Sequence, residues 1–229
     1  VNSRLTPWMF SKQFFLSLLL AVAGCHSAES ITPEETGEMP YGLWGFVFFT
    51  PKALPARVTY VGIIDEKKVL YSFRTLDRVN GDYSSIRKWD NRYMNFAQFN
   101  KARHPPVAML FCWDSIIDKK TYETHIIFPA SMREQMNTST GLDWLGKEAW
   151  YSTILFGLAP EGKVKVWLQN SGGGDNLPVD PKKITTLSGD KLDGCKGSTL
   201  ANFDYEIPDG YPEETKDFIK GKSYPYGNW

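Results

Sequence analysis

Two side chains in this sequence have the types and spacing of an acid–base pair. Glu123 and His125 stand two residues apart in TYETHIIF, residues 121–128. On an extended strand they share one face, where a carboxylate can orient an imidazole. A hydrolase uses such a pair when a nucleophile or a second carboxylate faces it, and on a half-exposed strand the same pair also serves as a structural contact. The other acids of this region, Asp114 and Asp118, show no spacing that sets two of them across a cleft. His104, before Pro105 and Pro106, reads as a solvated residue of an extended segment. No two of His, Cys, Asp and Glu recur at a spacing that wraps a tetrahedral metal site. The glycine run SGGGDN, 171–176, lacks the Lys-Ser/Thr and following helix of a phosphate loop, so it reads as a hairpin end or strand exit. The residue pattern therefore points to a protein that is not an enzyme, with no cofactor and no metal.

The three cysteines carry the other chemistry. Cys25 closes the run FFLSLLLAVAG, whose apolar stretch is about half the roughly 20 residues that a membrane-spanning helix needs. Lys12 before it and small residues after it fit the apolar region of a secretory signal. Val22-Ala23-Gly24-Cys25 resembles the bacterial lipobox, in which the cysteine is alkylated with diacylglycerol, the peptide is cut before it, and the new amino terminus is acylated. Residues 1–24 are then a lipoprotein signal peptide, with Met9 opening a compact leader and Val1 fitting an alternative start. Cys25 is the lipid attachment residue, and several acyl chains, at roughly 0.8 kcal/mol per buried methylene, give a stable anchor. His26 and Ser27 follow the cysteine with no Asp directly after it, which resembles the signal for the outer membrane, facing the periplasm.

In an oxidising compartment Cys112 and Cys195 form a candidate disulfide. The loop would be long, and closing it is worth roughly 4–5 kcal/mol on chain-entropy grounds. Cys112 also fits a second reading, an inert buried thiol, because it lies in an apolar run.

Loss of Arg4 and Lys12 with the leader leaves 24 basic against 26 acidic residues. A near-neutral chain lacks the basic face that nucleic acid demands. Residues 25–40, polar and acidic after the cysteine, read as a flexible tether. Residues 41–229 are long enough for one domain with a sizeable core.

The elements that must position these residues are strands. Trp44, Phe46 and Phe48 alternate along a first strand. Val58, Tyr60, Gly62 and Ile64 alternate along a second, which turns at Asp65–Lys68 into Val69, Tyr71 and Phe73. Two more hairpins follow, 107–117 with 121–128 and 149–158 with 163–170, the last turning at Ala159-Pro160-Glu161-Gly162 with the residues of a type I turn. A further strand fits 199–207. One short helix is expected after Pro129, with Ser131 and Glu134 as a capping box, and a second between Pro212 and Gly221. The fold class is mainly β, a β-rich α+β chain of antiparallel hairpins in a sheet or sandwich with one or two short helices.

Long loops on such a scaffold are where binding concentrates. Residues 75–104 carry Trp89, Arg92, Tyr93, Phe96 and Phe99, an aromatic and arginine mixture that suits a protein-binding surface. The same residues would also serve to cover one end of the sandwich.

Three segments together resemble a family of bacterial lipoproteins known as domain of unknown function 2931. They are TYVGIIDEKKVLYSF (59–73), WDSIIDKKTYETHIIFP (113–129) and GLAPEGKVKVWLQNSGGG (157–174), and the resemblance spans most of residues 40–175. It implies an envelope lipoprotein without assigned catalytic residues. Some similar lipoproteins are immunity proteins against type VI secretion effectors such as lipases. The expected function is a non-enzymatic, periplasm-facing lipoprotein bound to the membrane through Cys25, with a protein partner, either a secreted toxin or an envelope protein. An envelope structural or glycan-binding lipoprotein is the alternative.

Overall fold

The computed structural model describes residues 39–74, 76, 79–197, 213, 217, 218, 220–223 and 226–229. Cys25 with the signal and nearly all of the tether, the strand expected over 199–207, and most of the helix expected near 212–221 lie outside the described residues.

Among the described residues twelve strands form two sheets. They are β1 (Trp44–Pro51), β2 (Ala56–Asp65), β3 (Leu70–Phe73), β4 (Asn80–Asp82), β5 (Lys101–Ala102), β6 (Pro106–Ser115), β7 (Lys120–Ile127), β8 (Ser139–Leu142), β9 (Glu148–Ala159), β10 (Lys163–Asn170), β11 (Leu177–Val179) and β12 (Lys183–Ser188). One sheet has the order β11-β10-β9-β1-β4, with β5 on β1 and β8 on β9, and the other β12-β7-β6-β2-β3. The three expected hairpins are β2–β3, β6–β7 and β9–β10, all antiparallel. The chain is thus a β-sandwich.

One strand departs from the hairpin pattern. β1 runs parallel to β9, with Gly45 opposite Thr153, and parallel to β4 as well. It does not pair with β2, which crosses into the second sheet and joins β6. A strand centred between parallel neighbours is normally buried on both faces, and every residue of β1 is buried.

Trp44, Phe46 and Phe48 point between the sheets into the main core, where they join Phe111, Trp113, Phe156 and Met132. Phe48 and Phe156 stack at 5.2 Å, and Phe46 and Phe73 meet edge to face at 5.1 Å. Such pairs add about 0.5–1.5 kcal/mol each beyond the area they bury. Val47 and Phe49 point the opposite way and form a second cluster with Leu155 and Trp167.

Helix α1 (Ala130–Met136) follows Pro129 and buries Met132 and Met136. Its cap differs from the expected box. Pro129 itself is the N-cap, and no side chain bonds the first turn, because the helix begins one residue before Ser131. The β9–β10 turn also differs, since Glu161 and Gly162 both adopt positive φ, 65° and 73°, where a type I turn keeps its third residue near −90°. The Glu161 backbone N–H donates to Asp118 Oδ2 at 2.7 Å, and this long-range bond holds the left-handed residue in place.

Candidate functional site

The three carboxylates marked out by sequence all lie near the β6–β7 hairpin, and each is engaged. Asp118 Oδ2 accepts from the Tyr122 hydroxyl at 2.5 Å and from the Glu161 N–H. Asp114, fully buried, accepts from the Thr121 hydroxyl at 2.9 Å. Burial pushes its carboxyl up to about 6, although that hydroxyl and the nearby Arg57 pull it partly back.

Glu123 is the most deeply committed of the three. It has no exposed surface, and its Oε2 accepts the backbone N–H groups of Asp193 at 2.8 Å and Cys195 at 2.9 Å. Its Oε1 lies 2.5 Å from His125 Nε2. Burial alone would raise the carboxyl, but the hydrogen bonds from Cys195, Asp193, His125 and Gly194 outweigh it and hold the group below its ordinary value. Cys195, whose N–H reaches Glu123, is joined to Cys112 by a disulfide with the Cα atoms 5.6 Å apart. Glu123 therefore fastens the 193–195 loop to the outer face of β7, with His125 on its other oxygen. Its cross-strand neighbours at His125 are Leu110 and Thr185.

That outer face carries an open groove of about 720 Å³. Its floor is Ile64, Ala108, Leu110 and Ile127, with Tyr60 along one side, and Arg74, His125 and Lys183 at its rim. The Tyr60 ring lies flat along Gly62, where any Cβ would stand 3.1 Å from the Tyr60 hydroxyl, and the Arg74 guanidinium sits 5.7 Å from the centre of that ring. Gly194, brought in by Glu123 and the disulfide, closes part of the wall. Nothing in the periodicity of single strands marks this groove, because it is assembled from five strands and a distant loop.

The outer face of the seven-stranded sheet is covered instead. Residues 83–100 cross it, and Tyr93 stacks on Phe49 at 4.2 Å while Trp89 meets Phe49, Trp167 and Trp229 edge to face. Polar side chains pin the loop: Trp167 Nε1 donates to Asn91 Oδ1 at 2.9 Å, the Asn95 N–H to Gln169 Oε1 at 3.0 Å, and Asn176 Nδ2 to the Tyr93 carbonyl at 2.6 Å. The candidate binding residues are therefore divided. Trp89 and Tyr93 are half-buried packing residues, while Arg92, Phe96 and Phe99 point to solvent. Arg92 is paired with Asp90 at 3.6 Å.

Other sequence readings find a structural place. His104 is half-buried rather than solvated, and its carbonyl accepts the Trp44 indole N–H at 2.7 Å, because β5 brings it back over the start of β1. Gly173 and Gly174 take φ of 88° and 93° in the turn from β10 to β11, a strand exit. Among the described residues no three of His, Cys, Asp and Glu gather as metal ligands, and no helix is long and apolar enough to cross a membrane.

One exposed feature was not marked by the sequence reading. The β8–β9 hairpin carries Leu142, Trp144 and Leu145 at its tip, all exposed. Its three apolar residues, interrupted by Asp143, show neither helical nor strand periodicity, so only their exposure sets them apart.

No match was found among curated proteins or among solved structures. The family model described as a protein of unknown function (DUF2931) matches residues 27–227, extending through the C-terminal region where no motif was recognised, and the chain belongs to that family.

Proposed function

We propose that this chain is a lipid-anchored envelope protein, facing the periplasm and without catalysis of its own, whose groove on the five-stranded sheet binds another protein. The groove is the observation that carries the reading. One sheet of the sandwich has its outer face covered by the chain's own 83–100 loop, whereas the other leaves an apolar floor open, with Ile64 45% and Ile127 40% exposed. Contiguous apolar surface of this kind marks interaction sites. Arg74 and Lys183 supply donors at the rim, and none of the described lining residues is a carboxylate. The complementary segment is therefore apolar with acidic groups beside it.

The lipobox around Cys25 and the family resemblance support an envelope location, and a secreted toxin such as a type VI lipase is the partner class. Neutralising a toxin takes a rigid complementary surface in the right compartment, and the disulfide and the Glu123 bonds keep one wall of the groove rigid.

The test is co-expression of the full chain with the effector encoded beside it, in a sensitive strain, combined with pull-down. Protection and a stable complex are expected, both lost in Ile64→Glu with Ile127→Glu while the melting temperature stays near that of the wild type. Unchanged killing with no complex would overturn the reading. Retention on peptidoglycan or lipopolysaccharide with no protein partner would support a glycan-binding envelope role in its place.

A further inference from the structure

The β8–β9 hairpin ends in a rigid turn that displays apolar side chains. Asp143 Oδ1 accepts the N–H groups of Leu145 and Lys147, each at 2.8 Å, and the Asp143 N–H donates to the Lys147 carbonyl at 2.7 Å. Gly146 closes the turn at φ 75°. The carboxylate is thus occupied by its own backbone, and what the tip presents is Trp144, 86% exposed, with Leu142 at 68% and Leu145 at 57%. Holding these side chains in a fixed turn removes much of the ordering cost of a contact.

The position of the tip selects its occupant. β1 and β9 are parallel neighbours, with Gly45 opposite Thr153, so both begin at the same end of the sandwich. The described chain starts at that end: Met39 and Gly42 form a bridge, the Tyr41 ring lies 5.7 Å from that of Trp150, and the Tyr41 hydroxyl donates to the Tyr151 carbonyl at 3.3 Å. Trp150 pairs with Ser139 at the base of the hairpin. The tip projects about 10 Å past Trp150 at strand rise. Leu43, 46% exposed, is on the same end. Between Cys25 and Met39 the chain can span at most about 50 Å, so an acylated Cys25 keeps this end of the domain within reach of the bilayer.

We propose that the Leu142–Leu145 tip is a membrane foot, inserting Trp144 and its leucine neighbours into the interfacial layer of the bilayer that holds the lipid anchor. The proposal rests on the lipid-anchored reading above. Indole rings favour the headgroup level, where one edge is apolar and the N–H meets water. Lys147 at the base of the turn lies at the depth of the phosphates. The foot fixes which end of the sandwich faces the membrane and leaves the groove on the side of the sandwich.

Two independent readouts on the purified full chain test it. Intact mass determines whether Cys25 carries acyl chains, which decides the lipid-anchored reading alone. Tryptophan emission is then compared between wild type and Trp144→Phe in vesicles of equal parts phosphatidylglycerol and phosphatidylethanolamine, with and without brominated acyl chains. The difference signal belongs to Trp144. Quenching of that signal by brominated lipid, at least roughly twofold, together with protection from aqueous iodide, is the result expected for an indole at the interface. A difference signal quenched by iodide and untouched by brominated lipid overturns the foot, even in an acylated protein. So does protection that appears only after an envelope protein extract is added, which would assign the tip to a protein partner. Quenching by brominated lipid in a chain without acyl groups would uphold the foot and remove the anchor. The substituted residue is exposed, and an unchanged melt confirms that Trp144→Phe is folded.

Discussion

Cys112 and Glu123 lie directly opposite one another on β6 and β7, and both hold the same distant segment. The sulfur does so covalently through Cys195, and the carboxylate through the N–H groups of Asp193 and Cys195. A covalent and a hydrogen-bonded fastening thus meet on one rung of the sheet. They fix the loop that walls the groove.

Glu123 makes stability depend on acid in a defined window. Its folded carboxyl sits below the ordinary value of 4.5, so the unfolded chain binds the proton more readily. The stabilisation is fully present above about pH 4.5 and is lost as pH falls through the folded value. Glu123→Gln should cost about 1.5–3 kcal/mol near neutrality, and the gap to wild type should narrow below about pH 4. Thermal melts of both proteins from pH 7 to pH 2 measure this, and a constant gap would contradict it.

The disulfide should contribute to stability through the length of its loop. With a separation of 83 residues, reduction should lower the unfolding free energy by about 3–5 kcal/mol. Urea midpoints with and without reductant, together with Cys112→Ala/Cys195→Ala, would show it. Equal midpoints would mean that the Glu123 bonds hold the loop unaided.

Asp114 should act in the opposite sense to Glu123. Its carboxyl is pushed up to about 6 from 3.8, so the folded chain binds the proton more tightly and stability falls as pH rises through that interval. Asp114→Asn keeps an acceptor for Thr121 and should gain about 1–3 kcal/mol at pH 7.5. The gain should vanish below about pH 4, where both states of the wild type are protonated. Denaturant titrations at pH 7.5 and pH 3.5 separate the two cases.

Gly157 is a place where the covering loop comes very close to the seven-stranded sheet. A Cβ there would stand 2.7 Å from the Trp89 ring and 2.9 Å from the Trp167 ring. Gly157→Ala should therefore cost about 1–3 kcal/mol through overpacking and weaken the near-ultraviolet dichroism of the tryptophan cluster. Phe96→Ser, at an exposed position, should leave both unchanged within about 0.5 kcal/mol.

The hairpins were legible because their signals are local: alternation for the strands, and turn residues between them. Asp65 shows this directly, with Oδ1 accepting the N–H groups of Lys67 and Val69 at 2.9 and 2.8 Å. The parallel partnership of β1 and β9 was not legible, since nothing local distinguishes a strand's partner across a long separation. Trp89 and Tyr93 had the composition of an interface and became a lid over Phe49, because Val47 and Phe49 are as apolar as the inward face and require their own cover. The groove stayed hidden for a related reason. Ile64 and Leu110 read as ordinary strand residues until β2 and β6 pair, with Ile64 opposite Ala108 and Leu110 opposite Gly62.

The parallel ladder between β1 and β9 also bears on how the chain reaches its native state. The first of the described strands lies inside its sheet, between β9 and β4, yet Gly45 cannot find Thr153 until β9 has been made. Pairings of such sequence separation are slow, because loop closure precedes any reward. The pairings of β2, β3, β6 and β7 involve only strands made before β9, so the five-stranded sheet can assemble while β1 still lacks its long-range neighbour. The sheet that holds β1 closes only when β9 arrives.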